Sequence, residues 1–313
     1  MSLAKYAFMN GEIVPWDDAK VHVFAPIAKY ATGVFEGIRG YWNAKHEEMY
    51  LFKLKEHMQR LHYSQSVMRF DEIVDGDYLI DKTIDLVRAN AFRETVHIRA
   101  MTFVAGEGEL GARGPVGTAI TVVPRPLPKA VVDGCSAQVS SWLRVSDHAM
   151  PLRVKCNANY NNGRLAMIQA HADGYDAAIM LTNQGKVSEG PSMCFFMVRG
   201  GVLVTPSVTS DILESITRQT ILDISREYLD LDPVEREVDR SELYGAEEAF
   251  FCGTGWEITP ITSIDKMPVG DGQVGPLVRR LQEVYFNLAE GKIADHSEWR
   301  TPVYRQSQDN APQ

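Results

Sequence analysis

Apolar and polar positions follow two rhythms along this chain. Over residues 6–50 the rhythm is short and strand-like, broken by turns. Asn10-Gly11 reads as a hairpin turn. Asp17-Asp18 precedes Val21-His22-Val23-Phe24, whose pattern predicts a strand, and Val34–Tyr41 and Met49–Phe52 predict two more. A helical rhythm follows over 53–66, where Leu54, Met58 and Leu61 share a stripe. It returns over 77–91, where Ile80, Ile84, Val87 and Ala91 keep the three-four spacing. Strands are predicted over 95–104 and 118–123. Three prolines in Pro124-Arg125-Pro126-Leu127-Pro128 exclude helix and central strand there and predict a stiff, extended linker.

Beyond it, strands are predicted over 136–145, 176–182, 194–198 and 202–205, the last two joined by the turn Arg199-Gly200-Gly201. Helices are predicted over 162–172 and 216–229, and a strand over 249–252 runs into Gly253-Thr254-Gly255. A final helix over 276–290 places Leu277, Leu281, Val284 and Leu288 on one face, opens on Pro276 and stops at Gly291. Strands and helices mix without strict βαβ alternation, which points to the α+β class. The expected division is a small domain over 1–124, a linker over 125–135, a large domain over 136–299, and a loose polar tail over 300–313.

Composition narrows the partners. Lys plus Arg total 32 and Asp plus Glu 41, a net charge of −9, which argues against a nucleic-acid or anionic-membrane surface. Cys135, Cys156, Cys194 and Cys252 show neither paired nor zinc-like spacing, so no metal is expected and a reduced, cytoplasmic setting fits. No signal pattern and no apolar run of about 18 residues stands out.

The candidate chemistry sits in Lys155-Cys156-Asn157-Ala158-Asn159-Tyr160 and Ser188-Glu189-Gly190. An amine, a phenol and a carboxylate are what a pyridoxal phosphate ring needs: a Schiff-base partner, a hydrogen bond to the ring oxygen, and an anion opposite the pyridine nitrogen. Ser215-Ile216-Thr217-Arg218 opens a helix, where N–H groups and the dipole favour phosphate. Gly253-Thr254-Gly255 offers further N–H donors, and Arg60 a charge-assisted contact. Taken singly, each has a plainer reading. Lys155 is then a strand-end lysine, Tyr160 core packing, Glu189 a solvated turn residue, Ser215 an N-cap, Arg60 a surface arginine and Cys156 a buried thiol. Gly106–Gly111 lacks the ending of a phosphate loop and carries two glutamates.

Together, Val34-Phe35-Glu36-Gly37-Ile38-Arg39, Glu56-His57-Met58-Gln59-Arg60-Leu61, the Lys155 and Glu189 segments, Ile216-Thr217-Arg218 and Gly253–Pro260 resemble the branched-chain amino acid aminotransferases, class IV pyridoxal-phosphate transaminases. The resemblance runs from about Tyr6 to Gly291. It implies a fold-type IV enzyme with a smaller N-terminal α/β domain, a larger C-terminal domain, the cofactor at their junction, and a homodimer or higher homo-oligomer. It implies Lys155 as the catalytic lysine, and Arg60, Tyr160, Glu189, Ile216, Thr217 and Thr254 as further cofactor contacts. It implies Phe35, Arg39, His97, Arg99, Thr254 and Gly255 at the substrate, with amino-acid and keto-acid substrates and 2-oxoglutarate as acceptor. The chain departs from the family at His97 (usually tyrosine), Ser215 (usually glycine), Arg125 and Pro128 (usually aromatic neighbours) and Trp256 (usually small). Such pocket differences set substrate preference at about 1–3 kcal/mol each. R-selective amine transaminases, D-amino-acid transaminases and aminodeoxychorismate-type lyases share the fold and stay open as alternatives. A non-catalytic scaffold is a remote one.

Overall fold

The computed structural model describes residues 4–305. Contacts divide the chain into two units. One runs to Pro126 and takes back the chain from Phe286 onward; the other is Leu127–Tyr285. The second unit therefore stops short of the expected 299.

Among the described residues, the first unit carries a seven-stranded sheet whose pairings are all antiparallel. Its strands are β1 (Tyr6–Met9), β2 (Glu12–Pro15), β3 (Gly33–Asn43), β4 (Glu48–Phe52), β5 (Val96–Val104), β6 (Val116–Pro124) and a closing strand at Arg300–Pro302. Asn10 and Gly11, at φ 49° and 101°, make the β1–β2 turn, a backbone that Asn and Gly tolerate best. The register sets Phe35 opposite Met101, Gly37 opposite Arg99 and Arg39 opposite His97. With a side-chain period of two, these residues share one face. A short helix, α1 (Pro26–Tyr30), precedes β3. Val34, Ile38, Ile98 and Val122 point the other way and are buried, on the face against which α2 (Leu54–Val67) and α3 (Gly76–Asn90) pack.

Leu54, Met58 and Leu61 of α2 are buried as their spacing predicts. In α3 the buried face is Leu79, Thr83, Leu86, Val87 and Asn90, rotated from the expected Ile80–Ile84–Val87–Ala91 stripe. Two polar residues are satisfied inside it. Thr83 Oγ1 donates to the Leu79 carbonyl at 2.7 Å, and Asn90 bonds the backbone of Lys5, Tyr6 and Leu86. The expected strand over 21–24 is a turn instead. Ala25 N–H donates to the His22 carbonyl at 3.0 Å, no strand pairs with the segment, and Val23 is 82% exposed.

The expected loose tail is also corrected in part. Arg300–Pro302 pairs with β4, and the buried Glu48 carboxylate accepts N–H bonds from Met49, Val303, Tyr304 and Arg305 at 2.7–2.9 Å. The rest of that expected tail, 306–313, lies outside the described residues.

In the second unit, the short helix α4 (Lys129–Asp133) forms inside the expected linker over 125–135. The sheet contains β7 (Cys135–Val139), β8 (Ala177–Ile179), β9 (Cys194–Arg199), β10 (Val202–Pro206), β11 (Val234–Arg236), β12 (Glu248–Gly253) and β13 (Glu257–Ile264), with Met267–Pro268 paired to β13. The order is β11-β10-β9-β12-β13-β7-β8. Its pairings mix parallel and antiparallel, the parallel ones being β10–β11, β13–β7 and β7–β8. Phe195, Met197, Val204, Phe251 and Ile261 fill its core. The strands predicted over 136–145 and 176–182 are shorter than expected. β13 is unannounced in sequence because Pro260 sits inside it, where a missing N–H argues against a strand.

Three longer helices lie further along the chain. α5 (Asn159–Ala172) begins three residues before the predicted start. α6 (Ile216–Leu229) has the expected span, and α7 (Pro276–Ala289) is followed by Gly291 at φ 66°. No helix among the described residues is long and apolar enough to cross a membrane.

Candidate active site

In the second unit, the segment bearing Lys155 is tied to the start of α5. The Asn159 side chain donates to the carbonyls of Pro151 (3.2 Å) and Val154 (3.4 Å). Helix geometry then brings Tyr160 back over the loop, so that Lys155 Nζ hydrogen-bonds the Tyr160 hydroxyl. Cys156 between them is buried, and burial pushes its thiol pKa up. α5 itself lies hard against the Glu189 segment. A Cβ on Gly163 would sit 2.2 Å from the Pro191 carbonyl oxygen, so only glycine fits that approach.

Glu189 is buried at 3% exposure. Its backbone is fixed by Met180 N–H donating to the Glu189 carbonyl at 2.9 Å. Oε1 meets Arg144 Nη2 at 2.8 Å, while Oε2 receives the Leu213 N–H at 3.3 Å and the Cys194 thiol at 3.7 Å. Burial raises the carboxyl pKa. Arg144 is the strongest opposing influence, followed by the Leu213 N–H, the Lys155 charge and the Cys194 thiol, and the balance stays above the ordinary value. The solvated-turn reading of Glu189 therefore fails.

Leu213 leads directly into α6. Ser215 is its N-cap and accepts the Arg218 N–H at 3.3 Å. The N–H groups of Ile216 and Thr217, at the helix start, have no intrahelical acceptor. Thr254 and Gly255 lie in the turn joining β12 to β13, closed by Trp256 N–H donating to the Gly253 carbonyl at 3.0 Å. Trp256 Nε1 donates to Ser192 Oγ at 3.2 Å. Cys252 faces Cys194 across β9 and β12, so this turn leaves the sheet beside the strand that touches Glu189. Lys155, Tyr160, Glu189, the start of α6 and the Thr254 turn are thus linked by short runs of contact.

In the first unit, Phe35, Arg39, His97 and Arg99 share one sheet face. The Arg99 guanidinium lies 4.7 Å from the Phe35 ring centroid, a cation–π distance. The missing Cβ of Gly37 makes room for His97, whose Nε2 would be 3.2 Å from it. Arg39 is buried. Arg60 is no loose surface arginine. Its Nε and Nη2 each donate to the buried Glu36 carboxylate at 2.7 Å, and His57 Nδ1 approaches Glu36 at 2.6 Å. Burial pushes the Glu36 pKa up, but the Arg60 charge and hydrogen bonds, with His57, prevail and hold it at about 2.

Arg144 was not visible as a site residue. The run Ser140–Val145 reads as the continuation of a strand, whereas the chain turns after β7, with Trp142 N–H donating to Ser140 Oγ at 3.0 Å. Only the oddity of an arginine in an apolar stretch marks it in sequence. Among the described residues, no group of His, Cys, Asp or Glu is arranged to hold a metal ion.

The donor set of the second unit fits pyridoxal phosphate. An amine stands beside a phenol, a buried carboxylate is matched by an arginine, and a helix start holds two N–H groups. Comparison with known proteins agrees. The family pattern described as "Amino-transferase class IV" matches residues 33–264. The chain is 38% identical over 307 residues to the branched-chain-amino-acid aminotransferase of Escherichia coli strain K12, covering 96% of this chain and 98% of that protein. It is 36% identical over 303 residues to the probable branched-chain-amino-acid aminotransferase of Aquifex aeolicus strain VF5, covering 96% and 97%. Among solved structures, the branched-chain amino acid aminotransferase of Thermobaculum terrenum in its PLP form superposes with a TM-score of 0.92 at 41% identity, over 97% of this chain and 100% of that one. The architecture is fold-type IV, and the cofactor of the class is pyridoxal phosphate. The chain belongs to the class IV aminotransferases, in the family of the branched-chain-amino-acid aminotransferases.

Proposed function

We propose that this chain transfers the amino group of leucine, isoleucine or valine to 2-oxoglutarate, giving glutamate. The observation that carries this reading is the Lys155–Tyr160 pair, whose positive charge is felt at a buried, arginine-clamped Glu189. The cofactor, when bound, supplies a conjugated ring that takes up the electron pair left at the substrate α-carbon.

Everything else falls to the chain. Lys155 Nζ would hold the cofactor aldehyde between turnovers and would carry the proton taken from the substrate α-carbon. The Tyr160 hydroxyl aims that amine and faces the ring oxygen. Glu189, as an anion, keeps a proton on the ring nitrogen. The Ile216 and Thr217 N–H groups and the α6 dipole hold phosphate, helped by Thr254 and by the rigidly oriented Arg60. Backbone N–H groups at Thr254 and Gly255 take the substrate α-carboxylate. Arg39 and Arg99 bring positive charge suited to the second carboxylate of 2-oxoglutarate, His97 stands opposite Arg39 on the same sheet face, and Phe35 gives apolar side chains a wall. We read the working form as a homodimer on the family resemblance, and the setting as cytoplasmic because all four cysteines are free.

The test is a half-reaction screen of L-amino acids, D-amino acids and chiral amines, following the absorbance of the bound cofactor. L-Leucine, L-isoleucine and L-valine should bleach the band, and 2-oxoglutarate should restore it. Bleaching by D-amino acids or amines alone overturns the substrate assignment. Lys155→Ala should abolish the borohydride-trapped link between protein and cofactor. A link that persists moves that role to another residue.

A further inference from the structure

We propose that Arg144 is a positioning residue for Glu189: its guanidinium fixes Oε1 and balances the buried charge, leaving Oε2 to accept from the cofactor's ring nitrogen. This rests on the reading of Glu189 as the partner of that nitrogen.

A carboxylate with 3% exposure loses most of its hydration and protonates unless other groups compensate. A protonated Glu189 would donate a proton instead of accepting one, and the ring nitrogen would lose its charge. Among the described residues, the charged and titratable groups that act on Glu189 or are acted on by it are Arg144, Lys155, Cys194 and Cys252. Lys155 is already committed to Tyr160. The Cys194 contact is long, at 3.7 Å, and burial pushes the Cys252 thiol well up, so it brings no compensating charge. Among the described residues, Arg144 alone offers a full charge at hydrogen-bonding distance, 2.8 Å, and it is itself only 6% exposed.

The backbone fixes this pairing. Arg144 N–H donates to the Leu181 carbonyl at 2.8 Å, and the adjacent Met180 N–H donates to the Glu189 carbonyl at 2.9 Å. The two partners are thus zipped to adjacent residues of one segment. Arg144 Nε reaches the Asp211 carbonyl at 3.4 Å, which orients the guanidinium. The two carboxylate oxygens are treated unequally. Oε1 has a charge-assisted bond, whereas Oε2 has a long N–H contact and a weak thiol. Oε2 is the oxygen with acceptor capacity to spare.

The experiment titrates pyridoxal phosphate into the full-length protein at a series of pH values, reading the dissociation constant and the position of the absorbance band. It compares wild type, R144M, R144K, E189Q and R144M/E189Q. R144M removes the charge at similar length. Its affinity should fall about tenfold for each pH unit below the displaced Glu189 pKa, and its band should resemble that of E189Q. R144M should have no further effect in the E189Q background, because Arg144 acts through that carboxylate. R144K keeps the charge without the planar fork, and should retain the wild-type pH profile with weaker binding. R144M with wild-type affinity, pH profile and band overturns the proposal, as do R144M and E189Q effects that simply add. Should R144M not fold, R144K and the double variant decide. The double variant buries no unpaired charge, so it tolerates the loss. R144K identical to wild type, or a double variant much weaker than E189Q, overturns the proposal. Wild-type protein that takes up no pyridoxal phosphate sinks the proposed function as well; normal wild-type uptake beside an indifferent Arg144 sinks this inference alone.

Discussion

At the scale of single residues, the first unit turns on Glu36. It faces the helical side of the sheet, has no exposure, and is held by Arg60 and His57. Its folded pKa of about 2 lies below the ordinary 4.5. The stability it contributes is therefore fully present above the ordinary value and is lost as pH falls from there toward 2. Glu36→Gln should cost about 3–5 kcal/mol at neutral pH, as breaking a buried ion pair does, and should flatten the acid limb of stability in that window. Denaturant unfolding of both proteins across the acid range measures this; matching slopes would remove Glu36 from the account. The chain announced Arg60 and Glu189 as candidates. It concealed their partners Glu36 and Arg144, because a partner 24 or 45 positions away leaves no local spacing to read.

Among the elements, α5 decides how well the lysine-bearing and glutamate-bearing segments are registered. Its buried face is Asn159, Gly163, Ala166 and Ala170, a stripe of small residues that draws the helix close to its neighbours. Gly163→Ala would place a methyl 2.2 Å from a backbone carbonyl oxygen, which cannot swing aside. A loss of about 1–3 kcal/mol is expected from overpacking, with weaker cofactor binding, since Asn159 and Tyr160 ride on the same helix. Melting temperature and a cofactor titration read the two effects, and a change in neither would show that α5 has room to shift. Helices with strong apolar periodicity, such as α6 and α7, were legible in the chain. α3 was legible in extent and misread in phase, because Thr83 and Asn90 are buried with their polar atoms satisfied by backbone. β13 was hidden by Pro260.

For the whole molecule, the informative feature is that the first unit is discontinuous in sequence. Composition and pattern suggested two consecutive domains, because nothing in a polar C-terminal stretch signals a strand. Its pairing and its hold on Glu48 use backbone N–H groups, which every residue but proline possesses. A chain ending at Arg305 keeps these bonds; one ending at Trp299 leaves Glu48 buried with most of its donors gone. The shorter chain should lose at least about 2–3 kcal/mol. Urea unfolding followed through the first unit's Trp42 should separate the two, and equal midpoints would show the closing strand to be dispensable.

This discontinuity also orders biosynthesis. Chains emerge from the ribosome N-terminus first, and domains fold as units once their residues are available. Leu127–Tyr285 is contiguous and emerges before the closing strand does. The earlier-made unit must wait for Arg300–Pro302, made after the inserted unit, to cover its sheet edge, so the unit that is started first is finished after the one set within it.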